Sequence, residues 1–188
     1  AIAYGFKPDT VRRNIKLYIS LAAFTIFNIS IQIFMPYLII YYEVALGIKN
    51  YVLIMAPAVI IASVVTALWG KIYDKKGFNF SAIIAISVLV LGYIILFFTK
   101  QISLVFIGSL LMMSGYLAGM AVFGAVIRDN TPKGKAGALQ GIRIFSQVLL
   151  PGVIGPYIGK KILENAEIIT NNDGTVSFIP NENIFLAA

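Results

Sequence analysis

The chain has 188 residues, 59% of them hydrophobic and only 12% charged, with a formal net charge of +7. A soluble domain is about 45–50% apolar and about 25% charged, and a single core of this size cannot bury so large an apolar share, so an ordinary cytosolic enzyme, a disordered tail and a collagen-like fibre are excluded and lipid is the expected solvent. The sequence has no cysteine and no histidine, which removes disulfides, thiolate nucleophiles, Ser-His-Asp triads, imidazole or thiolate zinc sites and a histidine pH switch.

Residues 1–16 carry Lys7, Arg12, Arg13 and Lys16 against Asp9 and read as a cytoplasmic loop. The first charge-free run, about 17–42, lies between Lys16 and Glu43 and is long enough for a membrane helix. Within it Asn28 and Gln32 are four apart on one helix face, with Thr25 a turn before. Amides in lipid need partners and should face the bundle interior. There they either glue helices together or hydrogen-bond a solute. Pro36, Tyr37, Tyr41 and Tyr42 follow. Tyr41 joins Asn28 and Gln32 as a candidate substrate-binding residue, although both Tyr41 and Tyr42 also suit interfacial anchoring, the preferred reading for Tyr42.

The second run covers about 50–70. After it comes Gly70-Lys-Ile-Tyr-Asp74-Lys75-Lys76-Gly77, in which the glycines suit close helix approach and a tight turn. Asp74, an acid among lysines, either only caps the next helix or also pairs with a cation. The third run is about 78–99 and the fourth about 102–127. The fourth contains Gly115-x-x-x-Gly119, a pattern that lets helices pack closely, with Tyr116 and Ser114 as cavity candidates. Arg128-Asp129-Asn-Thr131-Pro132 should break the chain. The fifth run, about 137–159, carries Arg143 about two turns in, roughly 10 Å deep at 1.5 Å per residue. Arg143 either snorkels to the surface, pairs with Asp9, Asp74 or Asp129, or faces a polar path through the bundle. The two prolines and three glycines of Pro151-Gly152-Val-Ile-Gly155-Pro156-Tyr-Ile-Gly159 imply a kink and close packing. Residues 160–182 read as an outer loop, with a hairpin over 168–170 and 175–179 around Asn171-Asn-Asp-Gly174 or a solvated connector as the alternatives. A sixth run starts at 183–188 and, with the opening Ala1-Ile-Ala-Tyr4, suggests a fragment of a longer protein.

Lys7, Arg12, Arg13 and Lys16, then Lys71, Lys75 and Lys76, then Arg128, Lys133 and Lys135 share one side. Lys49, Lys100, Lys160 and Lys161 hold the other. The richer side is expected to be cytoplasmic, in a multi-pass protein of the cell membrane. The basic residues are spread over loops with no aromatic-interleaved patch, so nucleic acid is not an expected partner. No membrane carboxylate appears in these runs, which leaves a proton or sodium site, if there is one, outside them.

The Gly70–Gly77 loop resembles the signature that joins the second and third helices of a six-helix half in the major facilitator superfamily. The Asp129–Gly159 stretch resembles that half's fifth-helix region. The order of the runs agrees, and the resemblance extends from about Asn14 to Ala188. Where the family has a basic pair after the second glycine, this chain has Phe78-Asn79. Tyr4-Gly-Phe-Lys-Pro8 with Arg12-Arg13-Asn14 resembles the loop between the two halves.

The resemblance implies an all-α membrane fold: the C-terminal half-bundle of a transporter over 17–188, five helices and the start of a sixth. Its implied partners are an N-terminal half of the same transporter, the lipid bilayer and a small solute bound between the halves. It also implies a gating role for Gly70, Asp74, Lys75, Gly77, Asp129 and Arg143. No cofactor and no enzymatic chemistry are expected. A sugar–cation symporter of the glycoside–pentoside–hexuronide type is the first choice of subfamily. A drug or metabolite exporter, or a scaffold or receptor of the same fold, is the alternative.

Overall fold

A chain in lipid must satisfy its backbone groups within each apolar run, and the helix does so locally. The computed structural model describes residues 2–170 and 176–188 and is built of helices. A 3-10 turn (Ile2–Phe6) and α1 (Pro8–Arg13) lead into α2 (Ile15–Phe34). Pro36 lacks an N–H for the carbonyl of Gln32, and the ladder tightens there into a 3-10 turn at Met35–Tyr37. After α3 (Leu38–Ile40) comes a π turn at Tyr41–Ala45.

α4 (Val52–Phe98) counts 47 residues, more than twice the roughly 20 that cross a bilayer. It is two helices, 52–76 and 78–98, that meet at Gly77, whose φ of 77° and ψ of −178° are not helical. α5 (Ile102–Asn130) returns beside them. α6 (Ala136–Ile144) passes through a π turn at Phe145–Leu149 into α7 (Leu150–Ile162). Pro151 leaves the carbonyl of Gln147 without its usual donor, and the ladder widens just before it. The distortion expected in the fifth run therefore falls at its first proline.

β1 (Ile168–Thr170) pairs antiparallel with β2 (Val176–Phe178), Ile168 opposite Phe178. The chain thus forms the hairpin of the two alternatives; its turn, Asn171–Gly174, lies outside the described residues. α8 (Asn183–Ala187) follows. Among the described residues four helical runs are long and apolar enough to cross a membrane: Ile15–Ala45, Val52–Phe98, Ile102–Asn130 and Ala136–Asn165.

Two aromatic clusters mark the ends of the core. Phe24, Phe27, Phe78 and Phe123 meet toward the Gly77 end, with Phe24 and Phe123 stacked at 5.3 Å. Phe34, Tyr41, Tyr93 and Phe185 meet toward the other. Between them helices touch through glycine. A Cβ on Gly92 would lie 2.5 Å from the Met112 nitrogen, and one on Gly115 2.6 Å from the Leu89 Cα. Gly155 and Gly159 press α7 onto Gln32 and Ile33 of α2. The outward face carries Leu53, Ile60, Ile26 and Val153, all exposed, a covering that suits lipid and not water.

Candidate functional site

Two polar groupings interrupt this apolar bundle. The first lies at the Gly77 end, where α4 turns back. Gly77 has a backbone conformation that only glycine adopts without strain, so the second glycine of the loop is explained by the turn it makes. Gly70 differs: nothing lies within 4 Å of the Cβ it lacks, so the close helix approach expected there is not made by the described residues. The Trp69 indole N–H donates to the Ser81 carbonyl at 3.2 Å and ties the two arms of the bend together.

Tyr73 joins this loop to the Asp129 motif. Its hydroxyl donates to Asp129 Oδ2 at 2.8 Å, while Arg128 Nε reaches Asp129 Oδ1 at 3.2 Å. Both carboxylate oxygens are therefore occupied. Asp74 is exposed and, with Gly70, Tyr73 and Arg128, borders a cleft of about 300 Å³ between 52–76 and α5. Among the described residues it makes neither a cap bond nor an ion pair. Lys75 and Lys76 are exposed, Lys76 lying 5.9 Å from the Phe80 ring. Asn130 Nδ2 donates to Ser20 Oγ at 3.3 Å and fastens α5 to α2 at the same end. Tyr73 carries no sequence signal beyond an aromatic hydroxyl beside Asp74, and its target lies 56 residues away.

The second grouping is the seam between α2 and the α6–α7 run. Thr25 Oγ1 lies 2.8 Å from the carbonyl oxygens of both Leu21 and Ser146. Ser146 sits in the π turn, and its carbonyl is met across the seam. One turn further along α2 on the same side, Asn28 is 7% exposed and its Nδ2 has no partner. A turn beyond, Gln32 is half-buried with its backbone against Gly155. Tyr37 continues the contact, its hydroxyl 3.4 Å from the Pro156 carbonyl. Arg143 is one turn before Ser146 and its buried Nε is also without a partner. None of the ion pairs among the described residues includes it. Asn28 and Gln32 thus lie on the α2 side of the seam, and Arg143 stands one turn before the Ser146 contact on the other helical run.

Tyr41 and Tyr116 are not gathered there. Tyr41 is 1% exposed, its ring on Phe185 at 5.2 Å and its hydroxyl 3.4 Å from the Leu96 carbonyl. Tyr116 is half-buried on α5 against the core. The expectation of an interfacial anchor at Tyr42 is corrected. Tyr42 is fully buried because Ser109, 2.7 Å from its hydroxyl, supplies inside the bundle the polar partner that the interface would otherwise provide.

No curated protein and no solved structure matches the chain. The sequence family described as Major Facilitator Superfamily matches residues 6–156, a stretch that holds the Gly77 bend, the Asp129 contacts and the whole Thr25–Ser146 seam. With four helical runs apolar enough for lipid and most of its length within the match, this integral membrane protein belongs to the Major Facilitator Superfamily of transporters.

Proposed function

We propose that the chain is the C-terminal half of a secondary active transporter that moves a small polar solute by alternating access. In this reading Val52–Phe98 crosses the membrane twice, so that five crossings and the start of a sixth face an N-terminal half across a central site. The observation that carries it is the Asn28 amide: 7% exposed, unpaired, and flanked by Thr25 and Gln32 in an otherwise apolar bundle. A buried unpaired donor costs about 1–3 kcal/mol, and a polar solute with hydroxyl or carbonyl acceptors, a sugar first among them, would relieve that cost on binding. Asn28 and Gln32 act in recognition, with Tyr41 and Tyr116 as outer members of the solute path. Asp74, Lys75, Asp129 and Arg143 act in the gate at the Gly77 end, which faces the cytoplasm. A coupling proton or sodium ion would use a carboxylate of the other half, since the apolar runs of this one contain none.

The test is uptake by the full-length protein in proteoliposomes, screened against a panel of neutral sugars. Asn28→Ala is expected to lower uptake about tenfold, the effect of one lost hydrogen bond to the solute, with insertion unchanged. Asp74→Asn is expected to slow turnover by a similar factor while binding persists. Wild-type uptake by Asn28→Ala would refute the recognition role, and wild-type turnover by Asp74→Asn would refute the gate.

A further inference from the structure

On the two sides of the π turn the fifth run is held in different ways. Past it, α7 lies directly on α2, backbone to backbone at Gly155 and Gly159. Before it, α6 has the segment Ile2–Phe6 as its main neighbour outside its own helical run. That segment grips α6 at both ends. Lys135, the residue that caps α6, places Nζ 5.1 Å from the Tyr4 ring. Phe145, where the π turn starts, meets Phe6 edge-on at 5.6 Å. Between them Gly5 lies so close to Ile142 that a Cβ would stand 2.9 Å from Cγ2. The Tyr18 hydroxyl donates to the Gly5 carbonyl, which anchors the segment to α2.

The connections on either side of α6 are the ones that bend most readily. Gly134 precedes it with φ of 74°. After it come the widened turn and Pro151, the usual places for a helix to kink. A cleft of about 420 Å³, bordered by Phe6, Gly137, Gln140, Ile144 and Phe145, runs along the arm.

We infer that Ile2–Phe6 is a clasp on a hinged arm. Fastened, it ties α6 to the start of α2 through the Tyr18–Gly5 bond and steadies the Gly77 end of the arm. Unfastened, α6 pivots between Gly134 and the Phe145–Leu149 turn and carries Arg143 with it while α7 stays seated on α2. The clasp is the route by which the chain before α2 controls access from that end. It goes beyond the transport reading and does not depend on which solute is moved.

The experiment measures the α2–α6 distance in full-length protein in lipid nanodiscs, with spin labels at Ala22→Cys and Gln140→Cys, both exposed positions. Phe6→Ala removes a half-exposed ring and leaves the core intact. It is expected to raise the population of longer distances about fivefold, the effect of one aromatic pair. Gly5→Val, which cannot fit against Ile142, is expected to give the longer distances alone. A Gly5→Cys/Ile142→Cys pair would set its Cβ atoms 3.0 Å apart, about half an ångström inside the disulfide range, and, oxidised after that small shift, is expected to leave only the short distance. A distribution that is the same in Phe6→Ala, Gly5→Val and the cross-linked protein overturns the clasp. Because no solute is added, that result is separate from any failure of the uptake assay.

Discussion

Replacing Gly115 by valine is expected to prevent the bundle from assembling. In lipid, apolar surface is not driven together by water, so helices associate through close packing at small residues. The contact between 78–98 and α5 is of this kind and is reciprocal. Gly92 admits the backbone of Met112, and Gly115 admits the backbone of Leu89. At neither point is the neighbour a flexible side-chain tip that could move aside. A side chain at 115 must separate two helices along their length, and Leu89, Leu96 and Met112, buried between them, lose their contacts together. Overpacking typically costs about 1–3 kcal/mol, and with backbone as the obstacle this substitution belongs at or above the upper end. Size-exclusion of the full-length protein in detergent should show aggregate in place of a single peak. Gly124→Val is the control: nothing lies within 4 Å of the Cβ it would gain, and it should behave as wild type. Equal behaviour of the two variants would refute the packing argument.

Gly77→Ala is expected to have the second largest effect, by a different cause. There is room for a methyl group, so the penalty is conformational: φ of 77° with ψ of −178° costs an L-residue about 1–3 kcal/mol. The chain can escape only by changing the angle between 52–76 and 78–98. That pulls Trp69 from the Ser81 carbonyl and Tyr73 from Asp129. Uptake should fall about tenfold, in proportion to that penalty, and the midpoint of thermal unfolding should drop with it. Gly70→Ala, at the first glycine of the same loop, should be neutral or slightly stabilising, since Gly70 is helical with open space beside it. Loss of function at 70 with tolerance at 77 would reverse the roles assigned to the two glycines.

The elements were legible because charges delimit them. Lys16, Lys100 and Arg128 stand within a few residues of helix ends, and Gly77 announces the turn inside α4. Which face of each helix looks inward was not legible. In water an amphipathic stripe reveals it, but here lipid and protein interior are both apolar: Ile26 is 70% exposed and its neighbour Phe27 only 6%. For this reason Tyr42 looked like an anchor and proved to be core. The candidate site was read in part. Thr25, Asn28 and Gln32 declare themselves by polarity at helical spacing, and Arg143 stands one turn before the Ser146 carbonyl that Thr25 meets. The Tyr73–Asp129 bond and the clasp of Ile2–Phe6 on α6 join residues far apart in sequence, with no periodicity to betray them.

The Thr25 hydroxyl has a single proton, yet it stands 2.8 Å from two carbonyl oxygens. The one at Leu21 already belongs to the ladder of α2 and does without it. The one at Ser146 has no such partner, because the Leu150 N–H goes to Phe145 and residue 151 is a proline, so the proton belongs to Ser146. A joint made in this way behaves as a bolt and not as a bearing: were the two helices to slide apart here, deep in oil, a bare carbonyl would be the cost.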